Sequence, residues 1–262
     1  MTDLSSYQAN FSLAGRCALV TGSSAGLGLE IARAYAAHGA HVILHGRNAS
    51  KLLPLAEELK AAGAQVDTWE HDLADLNSLP DSYQALCQRV GTPDILVNNV
   101  GVRLRSRLQD ADWDDIEHLL QVDLLATLKL SKYAAQAMLQ AQTRQGRIVT
   151  LTSIAGPLAR PGDAIYPVAK QGLAGMVRAL AVEFGGQGIT SNGIAPGTFA
   201  TESNAALAQD PVKGPLVVGR NPLGRWAQPD EIRAAAVFLA SPAASYVNGH
   251  IVVIDGGFSI TF

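Results

Sequence analysis

Short runs of aliphatic and β-branched residues alternate along this chain with longer segments of helical period, which restricts the fold to βαβ units around a mostly parallel sheet. Arg16 to Thr21 (R-C-A-L-V-T) reads as a buried strand; the helix after it, Gly26 to His38, packs through Leu29, Ile31, Ala32, Tyr35 and Ala36 and is closed by Gly39. His41 to His45, a helix from Ser50 to Ala62 closed by Gly63, and the strand Gln65 to Glu70 follow, so three βα units are complete by residue 90. Asp94 to Asn98 gives the fourth strand, and a long helix spans about Asp112 to Gln140 with Asp114, Asp115 and Glu117 near its N-terminus. Arg147 to Thr152, a helix over about Ala164 to Phe184, Ile189 to Ile194, a helix from Pro229 to Leu239 and Ile251 to Ile254 bring the strands to seven. Because proline lacks an N–H and restricts the residue before it, Pro167 allows the helix around it to begin only at about Tyr166. The one long irregular stretch, Gly197 to about Gln228, carries Leu207, Leu216, Val217, Val218 and Trp226, as a lid or binding segment would.

The 262 residues contain no linker, repeat or low-complexity tract, so one domain, 1–262, is expected. Hydrophobic residues make up 48% and charged residues 16%, which excludes a disordered chain, and a net charge of −3 argues against a broad nucleic-acid or membrane-binding surface. A small-molecule partner fits better. Cys17 and Cys87 have no metal-type spacing, no metal site is expected, and the N-terminus has neither the basic nor the apolar region of a secretory signal. The expectation is a soluble, cytoplasmic protein.

Two motifs carry chemistry on their own terms. Thr21-Gly22-Ser23-Ser24-Ala25-Gly26-Leu27-Gly28 lies where the first strand turns into the first helix, and glycines there let a pyrophosphate approach the backbone while helix N–H groups attract it. A tight βα turn would also use glycines. Tyr166 and Lys170 stand four residues apart and so share a helix face, where the ammonium favours the phenolate and lets the tyrosine exchange a proton near neutral pH. Taken alone, the pair could equally be surface residues of an amphipathic helix.

With its T-G-x-x-x-G-x-G spacing, the glycine turn resembles the fingerprint of the short-chain dehydrogenase/reductase family, and further motifs of that family follow in the same order. They are Asp72-Leu73 after the third strand, Asn98-Asn99-Val100-Gly101 after the fourth, Ser153 ending the fifth, Tyr166 thirteen positions later with Lys170, and Pro196-Gly197-Thr198 with Thr201 after the sixth. The resemblance implies a single Rossmann-type doubly wound α/β domain, a seven-stranded mostly parallel sheet with helices on both faces. It also implies a nicotinamide cofactor held by Gly22, Ser23, Ser24, Gly26, Leu27, Gly28, Asp72, Leu73, Asn99, Val100, Gly101, Tyr166, Lys170, Pro196, Gly197, Thr198 and Thr201. Ser153, Tyr166 and Lys170 would be catalytic, Ser153 bonding the oxygen on which charge develops. Asp123 stands where the family usually has an asparagine that helps hold a water beside the lysine; its backbone carbonyl would remain available, and a proton relay with an altered pH optimum is expected. A salt-bridged helix residue is the other reading of Asp123.

At the end of the second strand Gly46 fills the slot where an acid would select NAD, and Arg47 follows it, so NADP(H) is expected, with Asn48, Ser23 and Ser24 as helpers and NAD(H) as a second cofactor. Arg103, Arg105 and Arg107 alternate in the loop after the fourth strand, and Arg160 precedes Tyr166; Arg103, Arg105 and Arg160 are candidates for an anionic substrate, beside Ser153 and Tyr166. Solvated or subunit-bridging arginines are the alternative. Within the family, F-S-L-A-G-R, H-G-R-N, G-x-x-x-R and the C-terminal third are similar to the gluconate 5-dehydrogenase branch, which implies oxidation of D-gluconate to 5-keto-D-gluconate with NADP. The competing readings are a 3-oxoacyl-thioester or other keto-acid or sugar reductase, and a non-catalytic NADP-binding sensor or scaffold. The low charged fraction also fits surface hidden in a homotetramer, as the family commonly forms, with the two long helices as interface candidates.

Overall fold

The computed structural model describes residues 5–143 and 145–261; residues 1–4, 144 and 262 of the expected domain lie outside the described residues. In chain order it runs α1 (Ser5–Ala9), β1 (Cys17–Val20), α2 (Gly26–Ala37), β2 (His41–Gly46), α3 (Ala49–Ala61), β3 (Val66–Glu70), α4 (Leu79–Val90), β4 (Ile95–Asn98), α5 (Trp113–Leu120), a π-helical turn (Gln121–Leu125) and α6 (Ala126–Gln140). Then come β5 (Gly146–Leu151), α7 (Tyr166–Phe184), β6 (Ile189–Pro196), α8 (Ala205–Gln209), α9 (Lys213–Val218), α10 (Arg233–Ala240) and β7 (Ile251–Ile254).

The strands form one sheet in the order β3-β2-β1-β4-β5-β6-β7. Every pairing is parallel, in keeping with the expected doubly wound sheet. Strand residues alternate between two cores, as a period of two requires. Ala18, Val20, Val42, Leu44, Ile95 and Val97 face α2, α3 and α10, while Leu19, Ile43, Leu96 and Ile148 face α4, α6 and α7. Strand order reverses between β1 and β4, and the loops leaving their carboxyl ends part there to open the crevice in which such sheets bind ligands.

Two expectations change, the unbroken long helix and the irregular stretch after Gly197, while the start of α7 is the one Pro167 implies. The long helix is interrupted by the π turn, whose extra residue re-aims Asp123 inward. Helix α7 begins at Tyr166, with Pro167 in its first turn. The stretch after Gly197 is not irregular: Phe199 bridges Ala227 and the short helices α8 and α9 lie between them. Among the described residues no helix is long and apolar enough to cross a membrane, and both cysteines are free.

Candidate active site

The turn from β1 into α2 is shaped by close approach. Gly22 and Gly26 lie in the left-handed region at φ 62° and 56°, and a Cβ on Gly28 would come 2.4 Å from both the Gly22 carbonyl oxygen and Asn99 Nδ2. Ala25 caps α2 with no side-chain hydrogen bond, and the first turn has no acidic residue. The N-terminal N–H groups and dipole of α2 therefore face the crevice without a side-chain anion, and this donor set fits a dinucleotide pyrophosphate.

The turn is bolted to β2. The Gly22 N–H donates to His45 Nδ1 at 3.1 Å, and the Ser23 hydroxyl accepts the His45 N–H at 2.9 Å. Ser23 is fully buried, so its hydroxyl is a strut and not the cofactor contact expected of it. Burial holds the His45 imidazole neutral, its pKa lowered to about 3, a histidine that sequence reading passed over. Since the folded pKa lies below the unfolded value of about 6.5, the unfolded chain takes the proton first, and stability falls as pH drops from about 6.5 toward 3. Denaturant titrations should show about 2 kcal/mol less stability at pH 5 than at pH 7 from this group. A His45→Gln variant should lack that share; an identical loss in both proteins would contradict it.

Asn99 also holds the turn. Its Nδ2 donates to the Thr21 and Gly22 carbonyls at 2.9 and 3.1 Å, while Thr21 Oγ1 accepts the Asn99 N–H at 2.8 Å. Its amide nitrogen is thus committed to protein, and Val100 beside it packs toward the second core. At the cofactor's other end Leu73 is a core residue, leaving only its backbone for an adenine, whereas Asp72 is exposed and accepts the Ala74 N–H in a local turn. Ser24 lies against Gly46, its Oγ 3.7 Å from where a Cβ would stand, and the exposed Arg47 follows. Asn48 spends its side-chain oxygen capping α3, accepting from the Ser50 N–H and hydroxyl at 2.9 and 2.7 Å. After β6, Gly197 is demanded by Asp255, whose Cα and Cβ would lie 2.7 and 2.6 Å from any Cβ. Thr201 then reaches back over α2, its Cγ2 3.6 Å from the Cβ position of Gly26, so the segment from Pro196 closes the crevice.

Ser153, two residues beyond β5, accepts the Ala155 N–H at 3.1 Å and lines a cavity of about 600 Å³. The segment after it packs on α7, with Gln171 Oε1 3.2 Å from the Cβ position of Gly156. Within α7 the buried Lys170 places Nζ 5.3 Å from the centre of the Tyr166 ring and 3.1 Å from Asp123 Oδ2. Asp123 is fully buried; its Oδ1 accepts the Val102 N–H at 2.6 Å, and its Oδ2 meets Lys170 as an ion pair without hydrogen-bond alignment. The Asp123 carbonyl, expected to be open to water, accepts the Thr127 hydroxyl at 2.8 Å. Gly101 is required here, since a Cβ would stand 2.9 Å from Asp123 Oδ2 and 3.0 Å from Lys170 Nζ.

The loop after β4 is extended, as the alternation of arginines predicts: Val102 and Leu104 pack inward with Ile116, Leu119, Ile165 and Ala169, leaving Arg103, Arg105 and Arg107 outward. Sequence reading missed what becomes of them. Asp163, its side chain only 1% exposed, takes Arg103 Nη2 at 3.0 Å and Arg160 Nε at 3.3 Å on the same oxygen, so these two expected substrate arginines are anchored on protein. Arg105 lines the cavity with no salt bridge recorded for it among the described residues, and its pKa is lowered by partial burial and by the neighbouring cations Arg103 and Arg160. Lys213 and Arg220, from the segment expected to be irregular, add cations to the far wall beside Leu216, Trp226 and Phe258.

This arrangement has close counterparts. A family model described as enoyl-(acyl carrier protein) reductase matches residues 22–259. Gluconate 5-dehydrogenase of Gluconobacter oxydans is 37% identical over 254 residues, 96% of this chain and 97% of that one. A 3-oxoacyl-[acyl-carrier-protein] reductase of Pseudomonas aeruginosa is also 37% identical, over 94% and 98% of the two chains. The crystal structure of a gluconate 5-dehydrogenase from Burkholderia cenocepacia, in complex with NADP and tartrate, superposes with a TM-score of 0.93 at 35% identity, covering 98% of this chain and 100% of that one. Matched over nearly its whole length in sequence and in fold, the chain belongs to the short-chain dehydrogenase/reductase family of oxidoreductases.

Proposed function

We propose that this protein is an NADP-dependent oxidoreductase of a sugar acid, interconverting D-gluconate and 5-keto-D-gluconate. The observation that carries the reading is Arg105: a guanidinium without a salt bridge among the described residues, in the same cavity as Ser153, is the natural partner of a substrate carboxylate. Ser153 hydrogen-bonds the carbonyl oxygen, Tyr166 gives that oxygen its proton or takes it back, and Lys170, held by Asp123, supports the tyrosine. A nicotinamide cofactor, when bound, would supply or accept the hydride. The free N-terminus of α2 would hold its pyrophosphate, and Arg47 with Ser24 would hold its 2′-phosphate.

The relative in Pseudomonas aeruginosa and the apolar part of the cavity lining, Leu158, Leu216, Val217 and Phe258, favour a second reading, reduction of 3-oxoacyl thioesters. Steady-state assays of keto acids, keto sugars and acyl thioesters with NADPH and NADH decide between them. The highest kcat/KM is expected with 5-keto-gluconate and NADPH, whereas an acyl thioester ahead of every keto acid, or NADH equal to NADPH, would overturn the assignment. The exposed Leu125, Leu128, Val168 and Val182, around α6 and along α7, support burial in a homotetramer, which sedimentation at low concentration would contradict by finding a monomer.

A further inference from the structure

We infer that Arg103, held by the buried carboxylate of Asp163, is a positioning cation for Tyr166 that restores the positive charge Asp123 removes. The inference rests on Tyr166 being the acid–base group of the reaction proposed above. The Arg103 guanidinium lies over the Tyr166 ring, its central carbon 4.7 Å from the ring centre. Three further contacts fix it there. Asp163 Oδ2 takes its Nη2 at 3.0 Å, the Ala164 N–H donates to the Ser106 carbonyl at 3.4 Å, and Val102 and Leu104 anchor the loop on either side. Asp163 Oδ1 is buried with no partner among the described residues, so the acid depends on the arginines for its charge balance.

The charges around Tyr166 make the case. From α7 comes Lys170, whose charge the buried Asp123 of the π turn cancels at 3.1 Å. From the loop after β4 come Arg103 and Arg105; from the segment before α7 come Arg160 and Asp163. The lysine pair is neutral as a unit, while Arg103, Arg160 and Asp163 together carry one positive charge. With Lys170 neutralised, the cation nearest the ring is Arg103, which lies over the phenol ring at the edge of the cavity that it also lines. As the hydroxyl gives up its proton, negative charge spreads into the ring that the guanidinium covers.

Arg103→Gln should therefore lower kcat for alcohol oxidation roughly tenfold at neutral pH and move the rise of kcat with pH upward by about one unit, with KM little changed. Arg103→Lys should recover most of the rate, and guanidinium ion should rescue Arg103→Ala at concentrations that leave the parent unaffected. In an Asp123→Asn background, where Lys170 keeps its charge, the effect of Arg103→Gln should shrink. A change confined to KM would make Arg103 a substrate contact and overturn the inference; so would an unmoved pH profile, no guanidinium rescue, or an equal effect in the Asp123→Asn background. NADPH binding by fluorescence, measured on each variant, reports folding. Full activity in Tyr166→Phe would instead refute the reading of Tyr166, independently of what Arg103 does.

Discussion

Tyr166→Phe is expected to cut turnover in both directions by two to four orders of magnitude while NADPH binding and thermal stability stay close to those of the parent. The hydroxyl is the group whose proton must reach the substrate oxygen, and its removal leaves the α7 backbone, the Ser153 turn and the glycine turn untouched. The loss should fall on kcat and on kcat/KM alike, because the interaction is made as charge develops and not in the ground state. A residual rate within tenfold of the parent would assign proton transfer elsewhere. Normal NADPH binding with no detectable turnover by the parent protein on any carbonyl tested would support the non-catalytic alternative.

Asp123→Leu is expected to cost about 3–5 kcal/mol in stability, since it strands the ammonium of a buried Lys170 and the N–H of Val102 together. Asp123→Asn should be milder, about 1–3 kcal/mol. A carboxylate serves Val102 with one oxygen and Lys170 with the other, whereas an amide has a single acceptor and turns its NH₂ toward one of two donors. Asparagine also leaves the lysine charge uncancelled, so the rise of oxidation rate with pH should move to lower pH, opposite to the change expected of Arg103→Gln. An unchanged pH–rate profile with unchanged turnover would show that the Asp123 charge takes no part. Chemical denaturation and pH–rate curves on the two variants separate stability from proton transfer.

What was legible in the sequence was whatever depends on local pattern. Seven apolar runs became seven strands with ends shifted by at most two residues, because fully buried parallel strands leave continuous β-branched stretches. Lys170 lies beside Tyr166 because i,i+4 is a property of the helix alone. The π turn left no trace, since Gln121 to Leu125 are ordinary helix formers and only their inward acid distinguishes them. Asp163 was passed over because its partner Arg103 is 60 positions away, and an acid before a helix reads first as a cap. For the same reason Ser23 and Asn99 were given to the cofactor when their side chains bind β2 and the turn itself. The hydroxyl and amide were recognised, but the groups that claim them lie 22 and 78 positions away. Leu73 was placed at the cofactor although its side chain belongs to the core beneath.

The reaction proposed for this protein is hydride transfer between a nicotinamide and the C5 carbon of a sugar acid at Ser153 and Tyr166. Its most direct test is label transfer: the protein is incubated with 5-keto-D-gluconate and NADPH carrying deuterium at both C4 positions of the nicotinamide, and the product is read by mass spectrometry and NMR. D-gluconate with one deuterium at C5 is the predicted result, absent from Tyr166→Phe. Unlabelled gluconate, or oxidation of NADPH with no gluconate formed, would contradict it.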